Sequence, residues 1–229
     1  MLVTSIVIII MAPKCPSPAP KSWWQKRPFY QIDVKSFRDS DGDGTGDLTG
    51  ILDKVDYLDN NLGVGSVGLS PIFKNQDNYK TINEQFGTAE DFKKLVDGLH
   101  DREIKVVLDL FPTHSSTQTG ELKNTMKFWL SQGADGFRVS SDAYQMDEEK
   151  TLVLLQEFRD LLDEAEENDE GSKILMTNVK SEDVTTFYGT NITDHVGSLS
   201  QMPVTSPNVL ANGQTTAENV IFFSLFFLA

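Results

Sequence analysis

Cysteine and histidine are both scarce in this sequence, with one cysteine, Cys15, and three histidines among 229 residues. No cluster of these residues has the spacing of a zinc site, so that class of metal centre is excluded. A single cysteine has no partner within its own chain. In an extracellular protein an odd cysteine indicates pairing with another chain, and the alternative interpretation of Cys15 is a simple unpaired thiol.

Lysine and arginine are also few compared with the acidic residues. The chain has 20 lysines and arginines against 34 aspartates and glutamates, which gives a net charge of −14. Proteins that bind nucleic acids present a basic surface to the phosphate backbone. The acidic balance therefore argues against a nucleic-acid partner and is typical of a soluble, charged exterior.

The apolar stretch at residues 2–11 is about half as long as the roughly 20 residues needed to cross a bilayer. A signal peptide is one interpretation, but the stretch has no basic residues before it and no small-residue cleavage site before Cys15. A buried first strand is another. We predict a third: that residues 1–12 are the end of a transmembrane helix that begins before Met1.

Four prolines lie among residues 12–20, and proline disfavours both helix and sheet. Residues 13–22 are therefore predicted to be a stiff, extended juxtamembrane linker that holds Cys15 close to the apolar stretch. We assign residues 23–229 to one folded domain.

Within that domain, apolar segments of strand length alternate with amphipathic segments of helix length. This order predicts a parallel α/β array. A complete (β/α)₈ barrel takes about 250 residues, so we expect a barrel that is incomplete at its C-terminal end. The predicted strands are 28–37, 66–73, 105–111, 135–142, 173–179 and 195–201, and the predicted helices are 48–62, 89–100, 120–133, 148–170, 181–188 and 217–229.

The acidic loop at residues 39–50 (DSDGDGTGDLTG) has the ligand spacing of a calcium loop. The predicted ligands are Asp39, Asp41, Asp43, the carbonyl of Thr45, and Asp47. Carboxylates this close together repel one another unless a cation neutralises them. The twelfth position is glycine rather than glutamate, so the loop is not an EF-hand proper. The alternative is a solvated acidic turn.

Four motifs in order, at residues 39–46, 86–88, 109–114 and 136–139, resemble those of the α-amylase superfamily of glycoside hydrolases. The resemblance extends over residues 23–179. It implies an α-amylase-type TIM barrel, and it implies that the acidic loop after the first strand binds a structural Ca²⁺ ion with no part in a reaction.

The same resemblance places the catalytic positions, and this chain departs from the family there. Ser140 stands where the family has its aspartate nucleophile, and Asn178 stands where it has its glutamate acid, while Arg138 is retained. Neither side chain supplies the carboxylate that glycoside hydrolysis needs. Asp142 as a displaced nucleophile would still lack the acid. His114 is interpreted as a core histidine rather than a sugar ligand. The resemblance therefore implies a pseudoenzyme.

The family's long loop domain after the third strand is also missing from this chain. Together with the apolar N-terminus, Cys15 and the pair Trp23-Trp24, this resembles the heavy subunits of heteromeric amino-acid transporters. The resemblance implies a type II plasma-membrane glycoprotein with an extracellular barrel. It would be linked by a disulfide at Cys15 to a polytopic light chain.

In that family the heavy subunit binds and stabilises the light chain and brings it to the plasma membrane, without catalysis. Asn191 heads the single Asn-x-Thr sequon and is the expected glycosylation site, although a sequon also arises by chance. The sequence leaves two other functions open. One is an active α-glucosidase or maltase, and the other is a carbohydrate-binding or adhesion protein.

Overall fold

A computed structural model of the chain describes residues 23–75, 78–110, 119–140, 148–166, 173–178 and 199–201. Cys15, His114, Asp142 and Asn191 lie outside these residues, as do residues 1–22 and the helices predicted at 181–188 and 217–229. No helix within the described ranges combines the length and the apolar character needed to span a bilayer.

Six parallel strands form the main sheet, in the order β1-β2-β5-β6-β7-β8. The predicted parallel α/β array is confirmed. Successive strands of this sheet pair in the order in which they follow one another along the chain, as is usual for consecutive strand–helix units. The strands are β1 (Phe29–Ile32), β2 (Ser66–Leu69), β5 (Lys105–Leu110), β6 (Gly136–Ser140), β7 (Ile174–Asn178) and β8 (Leu199–Gln201).

The prediction of one strand over residues 66–73 was wrong. Strand β2 ends at Leu69, and residues 73–82 form a separate antiparallel hairpin of β3 (Phe73–Asn75) and β4 (Asn78–Ile82). Pro71 has no N–H to donate to a sheet ladder, which explains the end of β2. The ladder continues only as far as Ser70, whose N–H donates to the carbonyl of Ile32 at 2.9 Å.

The first predicted strand was too long. Strand β1 ends at Ile32 and is followed by the short helix α1 (Val34–Phe37). The N–H of Val34 donates to Ser70 Oγ at 2.9 Å, and Ser36 Oγ donates to Asp33 Oδ2 at 2.7 Å. These side-chain partners take the place of a sheet ladder after Asp33, which is why the chain turns there.

The helix predicted over residues 48–62 is interrupted. It consists of α2 (Leu48–Leu52) and a π-helical turn at Tyr57–Asn61. Gly63, with φ of 64°, ends the turn in a conformation that suits glycine. The longer predicted helices are confirmed as α3 (Ala89–His100), α4 (Thr119–Ser131) and α5 (Glu148–Glu166). Thr88 and Asp91 form a capping box at the start of α3, as expected for a threonine N-cap.

The main core lies between one face of the sheet and the helices, and an aromatic cluster on α4 extends it to the hairpin. Trp129 is 2% exposed, and its ring centroid lies 4.9 Å from that of Phe92 and 5.6 Å from that of Phe73. Its Nε1 donates to the carbonyl of Tyr79 at 2.7 Å. One side chain on α4 therefore contacts α3 and fixes the hairpin.

The opposite face of the sheet carries the alternate residues of the same strands, as the two-residue period of a strand requires. Val107, Ile174 and Met176 are buried there, and Trp23 and Trp24 pack against them. The two tryptophans meet edge to face with ring centroids 5.5 Å apart. The two tryptophans that precede β1 thus cover part of this opposite face of the sheet.

A buried carboxylate joins the amino-terminal ends of three strands. Asp135, just before β6, is 2% exposed. Its Oδ2 lies 2.7 Å from His100 Nε2 and accepts from the N–H of Val106 at 3.0 Å. Its Oδ1 accepts from Lys105 Nζ at 3.0 Å, and Lys173 Nζ lies 3.8 Å away.

Burial opposes ionisation of this carboxyl and by itself would raise the pKa of Asp135. The hydrogen bond and charge of His100, the charge of Lys105 and the Val106 N–H outweigh that effect and lower the pKa below its ordinary value. Asp135 is therefore ionised in the fold and links α3, β5, β6 and the start of β7.

Candidate functional site

The two positions predicted to have lost their catalytic carboxylates are neighbours in the sheet. Ser140 is the last residue of β6 and Asn178 is the last residue of β7, and the two are paired in the parallel register. They lie at the carboxyl ends of the strands, where α/β barrels place their active sites. The register thus brings both positions to the expected edge of the sheet.

Behind these positions lies a buried ion pair. Asp109 on β5 is paired in register with Arg138 on β6, and Arg138 Nη2 donates to Asp109 Oδ2. Gln31 on β1 donates to the same oxygen from Nε2 at 3.0 Å. Arg138 was identified from the sequence, but its partners were not. The sequence does mark Asp109 as unusual, because it is the one charged residue within the apolar run 106–111.

The second oxygen of this carboxylate is unusual. Asp109 is 2% exposed, and within the described part of the chain its Oδ1 is buried with no hydrogen-bond partner. Burial raises the pKa of Asp109 to about 6, against the lowering effect of the Arg138 charge and the hydrogen bonds from Arg138 and Gln31.

Among the described residues at the ends of β5, β6 and β7, Asp109 is the one carboxylate. A retaining or inverting enzyme needs one carboxyl group as the acid and a second as nucleophile or base. Asp109 has one oxygen bound to Arg138 and Gln31, and the adjacent strand ends carry a serine and an asparagine. In the part of the chain that the structure describes, this edge carries the Asp109–Arg138 ion pair beside positions 140 and 178, whose residue types are uncharged.

The acidic loop brings three of its aspartates together. One carboxylate oxygen from each of Asp39, Asp41 and Asp43 lies within 4.8 Å of the others. Calcium takes oxygen ligands at 2.3–2.6 Å, so oxygens with this spacing fit one Ca²⁺ ion. These three carboxylates are the residues that would hold the ion.

Backbone N–H groups fold the loop around Asp39. Its carboxylate accepts from Gly42 at 2.6 Å and from Gly44 at 2.8 Å. These two N–H groups lower the pKa of Asp39, so the carboxylate is ionised and ready for a cation. Gly42 and Gly44 have φ of 86° and 90°, which explains the requirement for glycine at both positions.

Asp47 and Thr45 take other roles in the loop. The Asp47 carboxylate is the N-cap of α2: it accepts from the N–H of Gly50 at 2.6 Å, and both of its oxygens accept from Ser40 Oγ. The N–H of Thr45 donates to Asp43 Oδ1 at 2.7 Å. Of the five predicted ligands, the structure groups the first three, while Asp47 anchors the loop to the helix that follows.

Comparison with known families gives two matches that meet end to end. Residues 1–30 match the N-terminus of solute carrier family 3 member 2, and residues 31–121 match the α-amylase catalytic domain.

Among known proteins, the human amino acid transporter heavy chain SLC3A1 is 37% identical over 124 residues, which are 51% of this chain and 17% of that protein. The oligo-1,6-glucosidase of Heyndrickxia coagulans is 44% identical over 132 residues, which are 50% of this chain and 24% of that enzyme. The chain therefore spans less than a quarter of the length of either relative.

A solved structure of similar architecture is the trehalose-6-phosphate hydrolase of Bacillus licheniformis. Its TM-score is 0.59 at 20% identity, over 72% of this chain and 46% of that one. With the parallel strand order, these similarities show that the fold is an α/β TIM barrel of the α-amylase type, of which the described residues form a part. The N-terminal match and SLC3A1 together support a relationship with transporter heavy chains.

The raised pKa of Asp109 predicts a pH-dependent stability. A carboxyl whose pKa rises from 3.8 in the unfolded chain to about 6 in the fold favours folding below pH 3.8. That contribution, about 3 kcal/mol, is lost as the pH rises through 6. We expect the unfolding free energy of the wild type, minus that of Asp109→Asn, to fall by this amount between pH 3 and pH 7.

Denaturant unfolding of the full-length protein at each pH would measure this difference. Asp33→Asn, which removes an exposed carboxylate at the same edge of the sheet, is the matched control and should show a smaller change. A difference between wild type and Asp109→Asn that stays constant with pH would contradict the assignment.

The acidic loop predicts stabilisation by calcium. At Ca²⁺ concentrations about 100 times the dissociation constant, we expect about 2.7 kcal/mol of stabilisation. Thermal unfolding should show it as a rise of several degrees that is absent in the double variant Asp39→Asn, Asp41→Asn. The control is Asp53→Asn, an exposed carboxylate outside the group, which should keep the rise. An equal response in all three proteins would refute a site at this loop.

Proposed function

We propose that this protein is the non-catalytic heavy subunit of a heteromeric amino-acid transporter, of the 4F2 cell-surface antigen type. It binds and stabilises a polytopic light chain and brings it to the plasma membrane. The observation that carries the proposal is the direct succession of a match to solute carrier family 3 member 2 over residues 1–30 and an α-amylase match over residues 31–121. The SLC3A1 heavy chain is related over half of this chain.

The strand ends support a role without chemistry. An oxocarbenium-like transition state needs a negative charge on one side of the sugar and a proton donor on the other. Ser140 and Asn178, paired at the ends of β6 and β7, supply neither. Arg138, which would orient a nucleophile, binds Asp109 instead.

The N-terminal segment supports a membrane attachment. Residues 2–11 are the proposed outer end of a transmembrane helix, and Cys15 follows four residues later. The proline-rich linker keeps the thiol close to the membrane surface, where a cysteine of the light chain would have to lie to form a disulfide. The extracellular side is oxidising, so such a bond persists there. Asn191 would carry a glycan on the same side.

An α-glucosidase is the second candidate, because the oligo-1,6-glucosidase of Heyndrickxia coagulans shares 44% identity over half of this chain. A third candidate is a carbohydrate-binding or adhesion protein that binds sugars at the carboxyl ends of the strands without hydrolysing them. An α-glucosidase requires a carboxylate pair that positions 140 and 178 do not provide, so the ancillary subunit is the better-supported function.

The proposed disulfide predicts a covalent partner. On non-reducing gels of membranes from cells that express the full-length protein, we expect a larger species that collapses to the single chain on reduction. Cys15→Ser should remove it, because Cys15 is the one thiol of this chain. A wild-type protein that migrates as a single chain under both conditions would contradict the proposal.

A further inference from the structure

The chain contains four aspartate–glycine steps, at residues 41–42, 43–44, 97–98 and 135–136. In such a step the backbone nitrogen of glycine lies next to the side-chain carboxyl carbon of the aspartate before it. Glycine has no side chain to hinder attack of this nitrogen on that carbon. Whether the attack takes place depends on whether the fold brings the two atoms together and leaves the nitrogen free. The four steps differ in both respects.

The steps at 97–98 and 135–136 are held by the fold. Gly98 lies inside α3, Ala89–His100, where each N–H belongs to the helical hydrogen-bond ladder. Asp135 is 2% exposed, and its carboxylate is bound by His100 and Lys105. At either step, the nitrogen reaches the carboxyl carbon only if the helix or the base of the sheet opens.

The two steps in the acidic loop are open and aligned. Asp41 and Asp43 are exposed, and no atom beyond the neighbouring residues lies within 4 Å of a Cβ built on Gly42 or Gly44. Asp41 Oδ1 accepts from the N–H of Asp43 at 3.0 Å, and Asp43 Oδ1 accepts from the N–H of Thr45 at 2.7 Å. Each of these bonds closes a ring that contains the glycine nitrogen between the two residues. The carboxyl carbon is therefore held beside the nitrogen that would attack it.

One carboxylate restrains both glycine nitrogens. The N–H of Gly42 donates to Asp39 Oδ1 at 2.6 Å, and the N–H of Gly44 donates to Asp39 Oδ2 at 2.8 Å. A hydrogen bond to an ionised acceptor is about twice as strong as one between neutral groups. Each nitrogen must leave this bond before it attacks, so the bond to Asp39 adds to the barrier.

We propose that Asp41 and Asp43 are sites of spontaneous isomerisation to isoaspartate, at a rate that Asp39 sets. The glycine nitrogen forms a bond to Cγ of the preceding aspartate, and the Cγ hydroxyl leaves with the N–H proton as one water molecule. The product is a five-membered succinimide. A solvent water then adds to the former backbone carbonyl carbon, whose bond to nitrogen breaks. Nothing is oxidised or reduced, and the mass of the chain is unchanged.

The modification alters the loop. In isoaspartate the backbone runs through the former side chain, which lengthens it by one methylene group and leaves the carboxylate directly on Cα. One carboxylate oxygen from each of Asp39, Asp41 and Asp43 now lies within 4.8 Å of the others. This spacing depends on the normal backbone, so isomerisation at either site would separate the group.

Direct detection of isoaspartate in the full-length protein tests the proposal. The purified protein is incubated at physiological temperature and neutral pH with a calcium chelator, and is then digested at mildly acidic pH. Electron-transfer fragmentation distinguishes isoaspartate from aspartate at equal mass and reports on each of the four steps separately. We expect isoaspartate to accumulate at positions 41 and 43 but not at 97 or 135, whereas in denaturant all four positions should react.

Two variants test the role of Asp39. We expect Asp39→Ala to raise the rate at positions 41 and 43 about tenfold, because both glycine nitrogens lose their acceptor. Asp53→Ala, which removes an exposed carboxylate outside the loop, is the matched control and should leave the rate unchanged.

Three results would overturn the proposal. The first is an equal rate at positions 41 and 43 in the wild type and in Asp39→Ala. The second is accumulation at 97 or 135 of the folded wild type as fast as in the acidic loop. The third is a rise at all four positions in Asp39→Ala, because the substitution would then act by opening the whole fold rather than by releasing Gly42 and Gly44.

Discussion

The fold depends on one buried charge at the base of the sheet. Asp135 lies where β6 begins, and its two oxygens bind His100 at the end of α3 and Lys105 at the start of β5, with Lys173 nearby before β7. A buried ion is costly unless it is fully paired, and breaking such a pair leaves the remaining charges without compensation. This single carboxylate therefore requires three strands to start at the same level, and the parallel register that follows places Ser140 beside Asn178.

The carboxyl edge and the amino edge of the sheet differ in chemistry. At the carboxyl ends, the Asp109–Arg138 pair remains, and Ser140 and Asn178 stand at the paired strand ends. At the amino ends, Asp135, the Arg27–Asp59 pair and the turn at Tyr57 form a well-anchored base. In a barrel enzyme the function lies at the carboxyl edge.

Long periodic elements were predictable from the sequence and tertiary contacts were not. The strand at 105–110 and the helix at 89–100 follow directly from apolar pattern and the Thr88 cap. The hairpin after Leu69 was missed because its stability comes from Trp129, about 50 residues away in sequence. The calcium loop was predicted with five ligands, and the structure groups three, because a short-range pattern does not reveal that Asp47 caps α2. Asp135 has its partners on α3, on β5 and before β7, an arrangement that no local pattern encodes.

Glucose release from maltose by the purified full-length protein tests the proposed absence of glycosidase chemistry most directly. We expect no release above the uncatalysed rate, under conditions in which a related α-glucosidase is fully active. Protein-dependent release of glucose that disappears in Arg138→Ala would contradict the claim, because the activity would then arise at the strand ends that carry Ser140 and Asn178.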